Sequence, residues 1–237
     1  MKERVLIVIP AHNEEETISS VLERLKQVTP EFDRVVVNDG SQDATGDVVA
    51  ALGEKQLRHP CNLGYGRALQ TGLKYSVLRG YDIVVSIDAD GQHDPDDVPR
   101  LVATLLESKA DMVIGSRFCD DRPYRSPFGR RVGQLLFSHL TRVLIGYRIY
   151  DTTSGFKVLR STACEALVKG TFLDFHIETI VRLGLSGFSI VETPICVAER
   201  TLGRSMHSFT SFFSYPLQTM LLTVVAVVDS LFARRTR

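Results

Sequence analysis

Short, largely apolar runs recur along the first half of this 237-residue chain, separated by stretches of helical periodicity. Val5–Ile9 is unbroken apolar sequence ended by Pro10; Arg34–Val37 after its first residue, Ile83–Ile87 but for Ser86, and Met112–Ile114 repeat the pattern, with Lys55–Arg58 a further short candidate. Runs that are apolar at every position, rather than at alternate ones, predict strands buried on both faces. Between them, Glu14–Val28 sets Ile18, Val21, Leu22, Leu25 and Val28 at helical spacing, with acids crowding its start. Asp43–Leu52, Tyr65–Arg79 (ending at Gly80) and a stretch near Pro95–Glu107 are the other helices. Strands alternating with helices predict an α/β fold, a mostly parallel sheet covered on both faces. Ligands then collect at the carboxyl ends of the strands. Asp39, Asp88, Asp90 and Arg117 all lie just past strand ends, which predicts one shared site.

Asp88-Ala89-Asp90 ends the apolar run Ile83–Ile87 and precedes Gly91-Gln92-His93. Two carboxylates one residue apart at the end of a buried strand repel one another and lose hydration, so they need a counter-charge. A divalent cation carrying a phosphorylated ligand supplies one, and hard oxygen donors suit Mg2+ or Mn2+. Taken alone, the pair is equally what a solvated acidic turn looks like.

Net charge is zero but uneven. Residues 118–150 hold six Arg against two Asp, and residues 197–237 hold five Arg against two acids. An acidic body with two basic segments predicts that an anionic surface or acceptor meets those segments. Cys61, Cys119, Cys164 and Cys196 are far apart and show no C-x-x-C spacing, which predicts reduced, mostly buried thiols in a cytoplasmic protein and argues against zinc. Met1-Lys2-Glu3-Arg4 leads straight into a strand pattern, without the long apolar region of a signal peptide.

Further along, Phe128, Val132, Leu135, Leu136, Leu140, Val143 and Leu144 recur at helical spacing beside Arg130, Arg131 and Arg142. That pattern fits a core-facing helix with a solvated basic face, or one lying at a membrane interface. Phe172–Leu183 reads as another helix and Ile190–Val197 as a strand. Phe209–Ala233 carries one charge, Asp229, before Arg234-Arg235. A helix of that length would measure roughly 37 Å against a hydrocarbon layer of about 30 Å. Pro216, Gln218 and several hydroxyl residues interrupt it, so an amphipathic or half-inserted anchor is expected rather than a span.

Three loops complete the set. Ile9-Pro10-Ala11-His12-Asn13-Glu14-Glu15 joins strand to helix, where free N–H groups suit an anion and Asn13 can cap the helix. Asn38-Asp39-Gly40-Ser41 places an acid where a ribose hydroxyl or a base N–H could be read. Asn62-Leu63-Gly64-Tyr65-Gly66-Arg67-Ala68 is a glycine loop entering a helix, and it lacks the third glycine of a dinucleotide fingerprint and the ending of a P-loop.

In order, IPAHNEE (9–15), VVNDGSQDAT (36–45), NLGYGRA (62–68), DADGQHDP (88–95), GSRF (115–118), DTTSGFK (151–157) and ER-x-x-G-x-S (199–205) resemble the inverting nucleotide-sugar transferases of glycosyltransferase family 2. Within it the chain looks most like the dolichyl-phosphate mannosyltransferase, or polyprenyl-phosphate glycosyltransferase, branch. The resemblance implies a GT-A type fold: a Rossmann-like, mostly parallel central sheet flanked by helices, with a C-terminal amphipathic or membrane-associated helix. It implies a catalytic domain over 1–205, with a nucleotide-binding half (1–117) and an acceptor half (118–205), then a membrane-associated segment over 206–237. Pro10, Ala11, Asn13, Glu14, Asp39, Asp88 and Ala89 would bind the nucleotide. Asp88, Asp90 and Gln92 would hold the metal. Arg117, Arg131 and Arg200 would grip phosphate on the acceptor side, and Asp90, Arg117 and Asp151 would be the catalytic set.

Asp151 stands where the family places its candidate base, although a phosphate acceptor is already anionic and asks for orientation rather than deprotonation; a plain N-cap of the following turn is the alternative. Met206 stands where this branch usually has Lys, which removes a cation from the acceptor side, with Arg204 two positions earlier. The expected reaction is transfer of mannose or glucose from a GDP- or UDP-hexose, GDP-mannose among them, to a polyprenyl or dolichyl phosphate at the cytoplasmic face of the cell membrane. The expected partners are thus a nucleotide sugar, a lipid phosphate and a membrane surface, and no nucleic acid. Transfer to a hydroxyl of a glycan, and a silent nucleotide-sugar-binding subunit, are the competing readings.

Overall fold

The computed structural model describes residues 3–119, 128–170, 172–197 and 220–228. Its centre is a seven-stranded sheet in the order β3-β2-β1-β4-β6-β5-β7. The strands are β1 (Val5–Ala11), β2 (Asp33–Asn38), β3 (Lys55–Arg58), β4 (Ile83–Ser86), β5 (Met112–Ser116), β6 (Lys157–Arg160) and β7 (Ile190–Pro194). All neighbours run parallel except β6, which is antiparallel to both β4 and β5. The sheet is therefore mostly parallel, as the alternation of elements requires.

Side-chain alternation along β1 shows how one strand serves two cores. Val5, Ile7 and Ile9 enter a cluster with Leu22, Leu25, Val85, Leu101 and Phe156. Leu6 and Val8 enter the opposite cluster with Leu69, Leu73, Ile114, Phe172 and Phe175. The first cluster is roofed by α1 (Ile18–Val28) and α4 (Asp97–Ser108), the second by α3 (Tyr65–Arg79), α6 (Ser161–Lys169) and α7 (Ile177–Leu185). Truncating Leu22 or Leu25, both 1 % exposed or less, would cost about 2–5 kcal/mol.

Pro10 lies inside β1 rather than ending it, paired in register with Val37. Val8 offers its carbonyl to Ile87 on the β4 side, whereas Ala11 offers its own to Asp39 on the β2 side. Pro10 shares the parity of Val8, and β1–β4 pairing stops at Val8, so the missing N–H falls beyond the ladder and costs no bond.

Several boundaries differ from the sequence expectation. α1 begins at Ile18, four residues late, because the N–H groups of Asn13, Glu14 and Glu15 are bonded outward to the 41–45 loop instead of into a helix. α2 spans Thr45–Ala51, since Asp43 turns back to accept from the Thr45 N–H and hydroxyl. The strand-helix pair β6–α6 was not expected at all. α7 starts at Ile177 rather than Phe172, because Glu178 Oε2 accepts the N–H groups of Leu173 and Asp174 and holds that segment as a turn. β7 ends at Pro194, although Val197 still bridges His93. α3 and its left-handed cap at Gly80 fall where the sequence placed them.

α5 (Phe128–Ile145) covers most of the expected basic helix, and a further helix occupies 220–228. Ala226 of that helix packs with Phe137 of α5 and Ile177 and Val181 of α7. Among the described residues no helix is long and apolar enough to cross a membrane. The rest of the expected anchor over 209–233 lies outside the described residues. None of the cysteines is in a disulfide, but only Cys164 is buried; Cys61 and Cys196 sit on exposed loops at strand ends, which corrects the expectation of mostly buried thiols.

Candidate active site

Because β6 is antiparallel, the segment leading into it (151–156) arrives at the same sheet edge as the carboxyl ends of β1, β2, β4 and β5. That edge collects the sequence-flagged residues. Pro10 and Ala11 are buried at the end of β1. Asn13 has φ +55° and does not cap α1: its Oδ1 accepts from the Gln42 N–H (2.9 Å) while its own N–H donates to Ser41 Oγ (3.0 Å). The Glu14 N–H donates to Thr45 Oγ1 (2.8 Å), and its carboxylate accepts from the Thr17 hydroxyl (3.0 Å). The 12–15 and 39–45 loops are thus laced into one wall.

Asp39 is 3 % exposed, and its carboxylate is spent inside the protein. It accepts from His59 Nδ1 (2.6 Å), the Leu63 N–H (2.9 Å) and the Gly64 N–H (2.7 Å). His59 in turn pairs with Thr71 Oγ1 at 2.9 Å. The group expected to read a ribose or base therefore shapes the glycine loop.

Asp88 and Asp90 flank Ala89, whose methyl is in the core. Asp88 keeps 28 % of its side chain exposed and accepts from the Tyr65 hydroxyl through Oδ1 (2.8 Å). Burial, then Asp88 itself, pushes the Tyr65 phenol well above its usual pKa, so it stays a donor. His93 Nδ1 lies 3.4 Å from Asp88 Oδ2, near enough for charge but too poorly aligned to bond, and the nitrogen has no hydrogen-bond partner. Asp90 Oδ1 accepts from the Gln92 N–H at 3.0 Å. A Cβ on Gly155 would stand 2.9 Å from both Asp88 oxygens and 2.3 Å from the Tyr65 hydroxyl, so only glycine admits this acid against the sheet. The donor set fits a hard divalent cation: two half-exposed carboxylates and an amide at a strand end. Among the described residues no group of three or more His, Cys, Asp or Glu could hold a metal, so a cation here would depend on water and phosphate oxygens for the rest of its ligands.

Arg117 meets Asp151 across the same edge. Nε donates to Oδ2 (2.7 Å) and Nη2 to Oδ1 (2.8 Å), the Arg117 N–H adds a third bond to Oδ2 (3.0 Å), and Nη2 also reaches Thr153 Oγ1 (2.7 Å). Asp151 is wholly buried. Burial alone would raise its pKa, but the Arg117 guanidinium outweighs this and holds the carboxyl below its usual value. Glu192 Oε1 and Oε2 accept the N–H groups of Asp151 and Tyr150, both at 2.7 Å, and fix the turn. Arg131 belongs to α5, but its side chain is outside the described residues, as are Arg200, Arg204 and Met206.

Three residues in this region were not flagged from sequence. Lys157, fully buried on β6, donates to the carbonyls of Phe175 and His176 and lies 4.5 Å over the Phe175 ring. Burial pulls its pKa down from 10.5 to about 7, while Asp174, Asp151 and Asp88 pull it back up. His176 stacks on Tyr65, ring centres 5.4 Å apart and planes 14° from parallel. Glu178, 2 % exposed, accepts Arg182 Nε at 3.0 Å and braces the 173–174 turn. Lys157 and Tyr65 stand inside motifs that sequence reading quoted; nothing in the sequence marks His176.

A mostly parallel, helix-flanked sheet with an acid pair beside a glycine loop at its carboxyl edge is the GT-A architecture of nucleotide-sugar transferases. Glucosyl-3-phosphoglycerate synthase of Mycobacterium tuberculosis shares it, with a TM-score of 0.73, 22% identity and coverage of 96% of this chain and 80% of that one. The family described as "Glycosyl transferase family 2" matches residues 6–168, and the chain belongs to it, a glycosyltransferase. Undecaprenyl-phosphate mannosyltransferase of Micrococcus luteus is 34% identical over 215 residues, 86% of this chain and 88% of the relative. Polyprenol monophosphomannose synthase of Mycolicibacterium smegmatis is 33% identical over 217 residues, 87% of this chain and 82% of the relative.

Proposed function

We propose that this protein transfers a hexose, mannose or glucose, with inversion, from a GDP- or UDP-sugar to a polyprenyl phosphate at the cytoplasmic face of a membrane. The names of its relatives point to that acceptor. One structural observation carries the choice over a glycan hydroxyl: the Asp151 carboxylate is buried, gripped by Arg117 and held below its usual pKa, so it is a poor base. A lipid phosphate is already an anion near neutral pH and needs no base. What it needs is a cation held in position, which Asp151 provides by fixing Arg117.

The remaining roles are assigned on the motifs and their shared sheet edge. Pro10, Ala11, Asn13, Glu14 and the Asp39-organised glycine loop would bind the nucleoside. Asp88, Asp90 and Gln92 would hold Mg2+ or Mn2+, which when bound neutralises charge on the leaving nucleoside diphosphate. Arg117 would meet the acceptor phosphate and separate it from the donor's own phosphates, with Arg131 and Arg200 assigned to the same task on their motifs alone. A single displacement at the anomeric carbon then inverts its configuration.

α5 and the 220–228 helix support docking on a membrane surface. Leu135, Leu136 and Val143 of α5 and Leu221 and Val224 of the other helix are at least half exposed. The deciding experiment incubates the purified chain with GDP- and UDP-hexoses, a short polyprenyl phosphate in vesicles, and Mg2+ or Mn2+. A lipid-linked hexose of inverted configuration is expected. Transfer to a glycan hydroxyl alone, with a rate that falls as a carboxylate protonates, rejects the reading.

A further inference from the structure

Three buried side-chain atoms among the described residues have no hydrogen-bond partner: His93 Nδ1, Thr152 Oγ1 and His176 Nδ1. All belong to the candidate site. His93 stands beside Asp88, Thr152 follows Asp151, and His176 lies on Tyr65, whose hydroxyl holds Asp88. An unmet buried polar atom costs about 1–3 kcal/mol, and three beside Asp88, Asp151 and Tyr65 mark where a polar ligand completes the structure.

The His176 imidazole is within electrostatic reach of Asp88 on the metal side and of Arg117 on the acceptor side. Burial lowers its pKa from the usual value, Asp174 opposes this and Lys157 adds to it, so the ring is neutral near pH 7. A neutral imidazole offers a donor at one nitrogen and an acceptor at the other, which suits a hydroxyl better than a phosphate. The residue is also held from several directions. Lys157 binds the His176 carbonyl, Asp174 Oδ1 accepts the His176 N–H at 2.8 Å, and Glu178 anchors the turn before it. Gly66 lets that turn close on α3, since a Cβ there would stand 2.1 Å from the Leu173 carbonyl oxygen.

We propose that His176 is a sugar-reading residue whose Nδ1 hydrogen-bonds one hydroxyl of the transferred hexose. This rests on the transferase reading above, because the hexose must lie between the leaving diphosphate at Asp88 and Asp90 and the acceptor phosphate at Arg117. Of the three orphaned groups, His176 is the one stacked on Tyr65, whose hydroxyl holds Asp88. Specificity for one hexose over its epimers then comes from a side chain outside every family motif in the sequence.

The test compares a set of monodeoxy donors in the wild type, His176→Ala and His176→Asn, each with polyprenyl phosphate. His176→Ala is expected to lower kcat/KM on the intact donor by about tenfold to a hundredfold. The deoxy donor lacking the contacted hydroxyl should suffer a similar loss in the wild type and none beyond that in His176→Ala. His176→Asn, whose side-chain amide lies near the Nδ1 position, should recover part of the rate. Equal discrimination among all deoxy donors in wild type and variant overturns the proposal. As a check needing no folded variant, ¹⁵N NMR of the wild-type histidines should show an imidazole shift with Mn-free nucleotide sugar that the nucleoside diphosphate alone does not produce; identical spectra for the two overturn it. Failure of the parent reading looks different: the wild type itself transfers nothing to lipid phosphate.

Discussion

The Tyr65 hydroxyl donates to Asp88 Oδ1 at 2.8 Å, joining the start of α3 to the acid at the end of β4. The glycine loop and the acidic pair are thereby one unit, and Asp88 would meet a metal with one oxygen already oriented. Outer partners of this kind typically change metal affinity by 10- to 100-fold when removed. Tyr65→Phe should therefore raise the Mn2+ concentration for half-maximal activity by about tenfold, with stability lowered by about 1 kcal/mol. A metal titration of the transfer rate checks the first outcome and chemical denaturation the second. An unchanged metal requirement would remove Tyr65 from the site's machinery.

Arg117 and Asp151 form the second such unit, and their separation tests the acceptor assignment. Removing one partner of a buried pair costs about 3–5 kcal/mol, because a charge is left unmatched. Asp151→Asn should thus lower stability by about that amount and cut the rate on the order of a hundredfold by releasing Arg117. Its pH–rate profile should keep the wild-type shape, since no base has been lost. The folded carboxyl titrates below its usual value, so its stabilisation is present above the unfolded pKa and is lost only as pH falls through the lowered one. The stability deficit of Asp151→Asn should accordingly be equal at pH 6 and pH 8. Loss of an acidic limb from the rate profile would instead restore Asp151 as a base.

The strands other than β6, α3 and the gathering of Asp88, Asp90 and Arg117 at one edge were legible because they rest on local pattern: apolar runs and residues just past their ends. β6 was hidden because nothing local in Lys157-Val158-Leu159-Arg160 shows that its first lysine is buried. Lys157 is buried by closing on carbonyls almost twenty residues away, and Arg160 covers the carbonyls of Ala110 and Leu105. The type and place of Asp39 suggest an acid that reads a ligand, but its partners are backbone N–H groups at Leu63 and Gly64 and a histidine at 59. No spacing rule connects those positions. The type and place of Asn13 suit a helix cap as well as a nucleotide contact, but a left-handed backbone and the opposite loop claim it in place of the cap.

Gly155 gives a sharper prediction than any charged residue. Ala there would place a methyl 2.3 Å from the Tyr65 hydroxyl and 2.9 Å from both Asp88 oxygens, so that unit must move. Gly155→Ala should fold, with activity reduced at least a hundredfold and metal response weakened in parallel with Tyr65→Phe. Circular dichroism and a metal titration decide it. Wild-type activity would show that Asp88 need not lie against this turn.

The membrane reading is tested on α5. Leu136 and Val143 are 61 % and 68 % exposed, and each aliphatic side chain of that size gains about 1.5–3 kcal/mol on leaving water. The Leu136→Glu, Val143→Glu double variant should sediment with anionic vesicles at least tenfold less well. Its transfer to a water-soluble short-chain lipid phosphate should be unchanged. Equal sedimentation of variant and wild type would place the docking surface elsewhere.

Lys157 predicts a pH dependence of folding that runs against the usual alkaline loss. Its pKa is about 7 in the folded chain against 10.5 as the ordinary value, with burial the main cause. Between those limits the unfolded chain binds the proton and the folded chain does not, so stability rises with pH across the window and is lowest below it. The slope from this one group is on the order of 1 kcal/mol per pH unit. Lys157→Met removes the titrating group while keeping an unbranched side chain in the core. The difference in unfolding free energy between wild type and Lys157→Met should therefore shift in favour of the wild type from pH 7 to pH 9.5, and a difference constant across that range would mean the ammonium stays charged when buried. Because the same ammonium holds the carbonyls of Phe175 and His176, its deprotonation loosens the turn that carries His176. Discrimination among deoxy donors should then weaken as pH rises through about 7, at the foot of the interval in which stability climbs, and measuring both on one preparation separates a loosened turn from a general loss of structure.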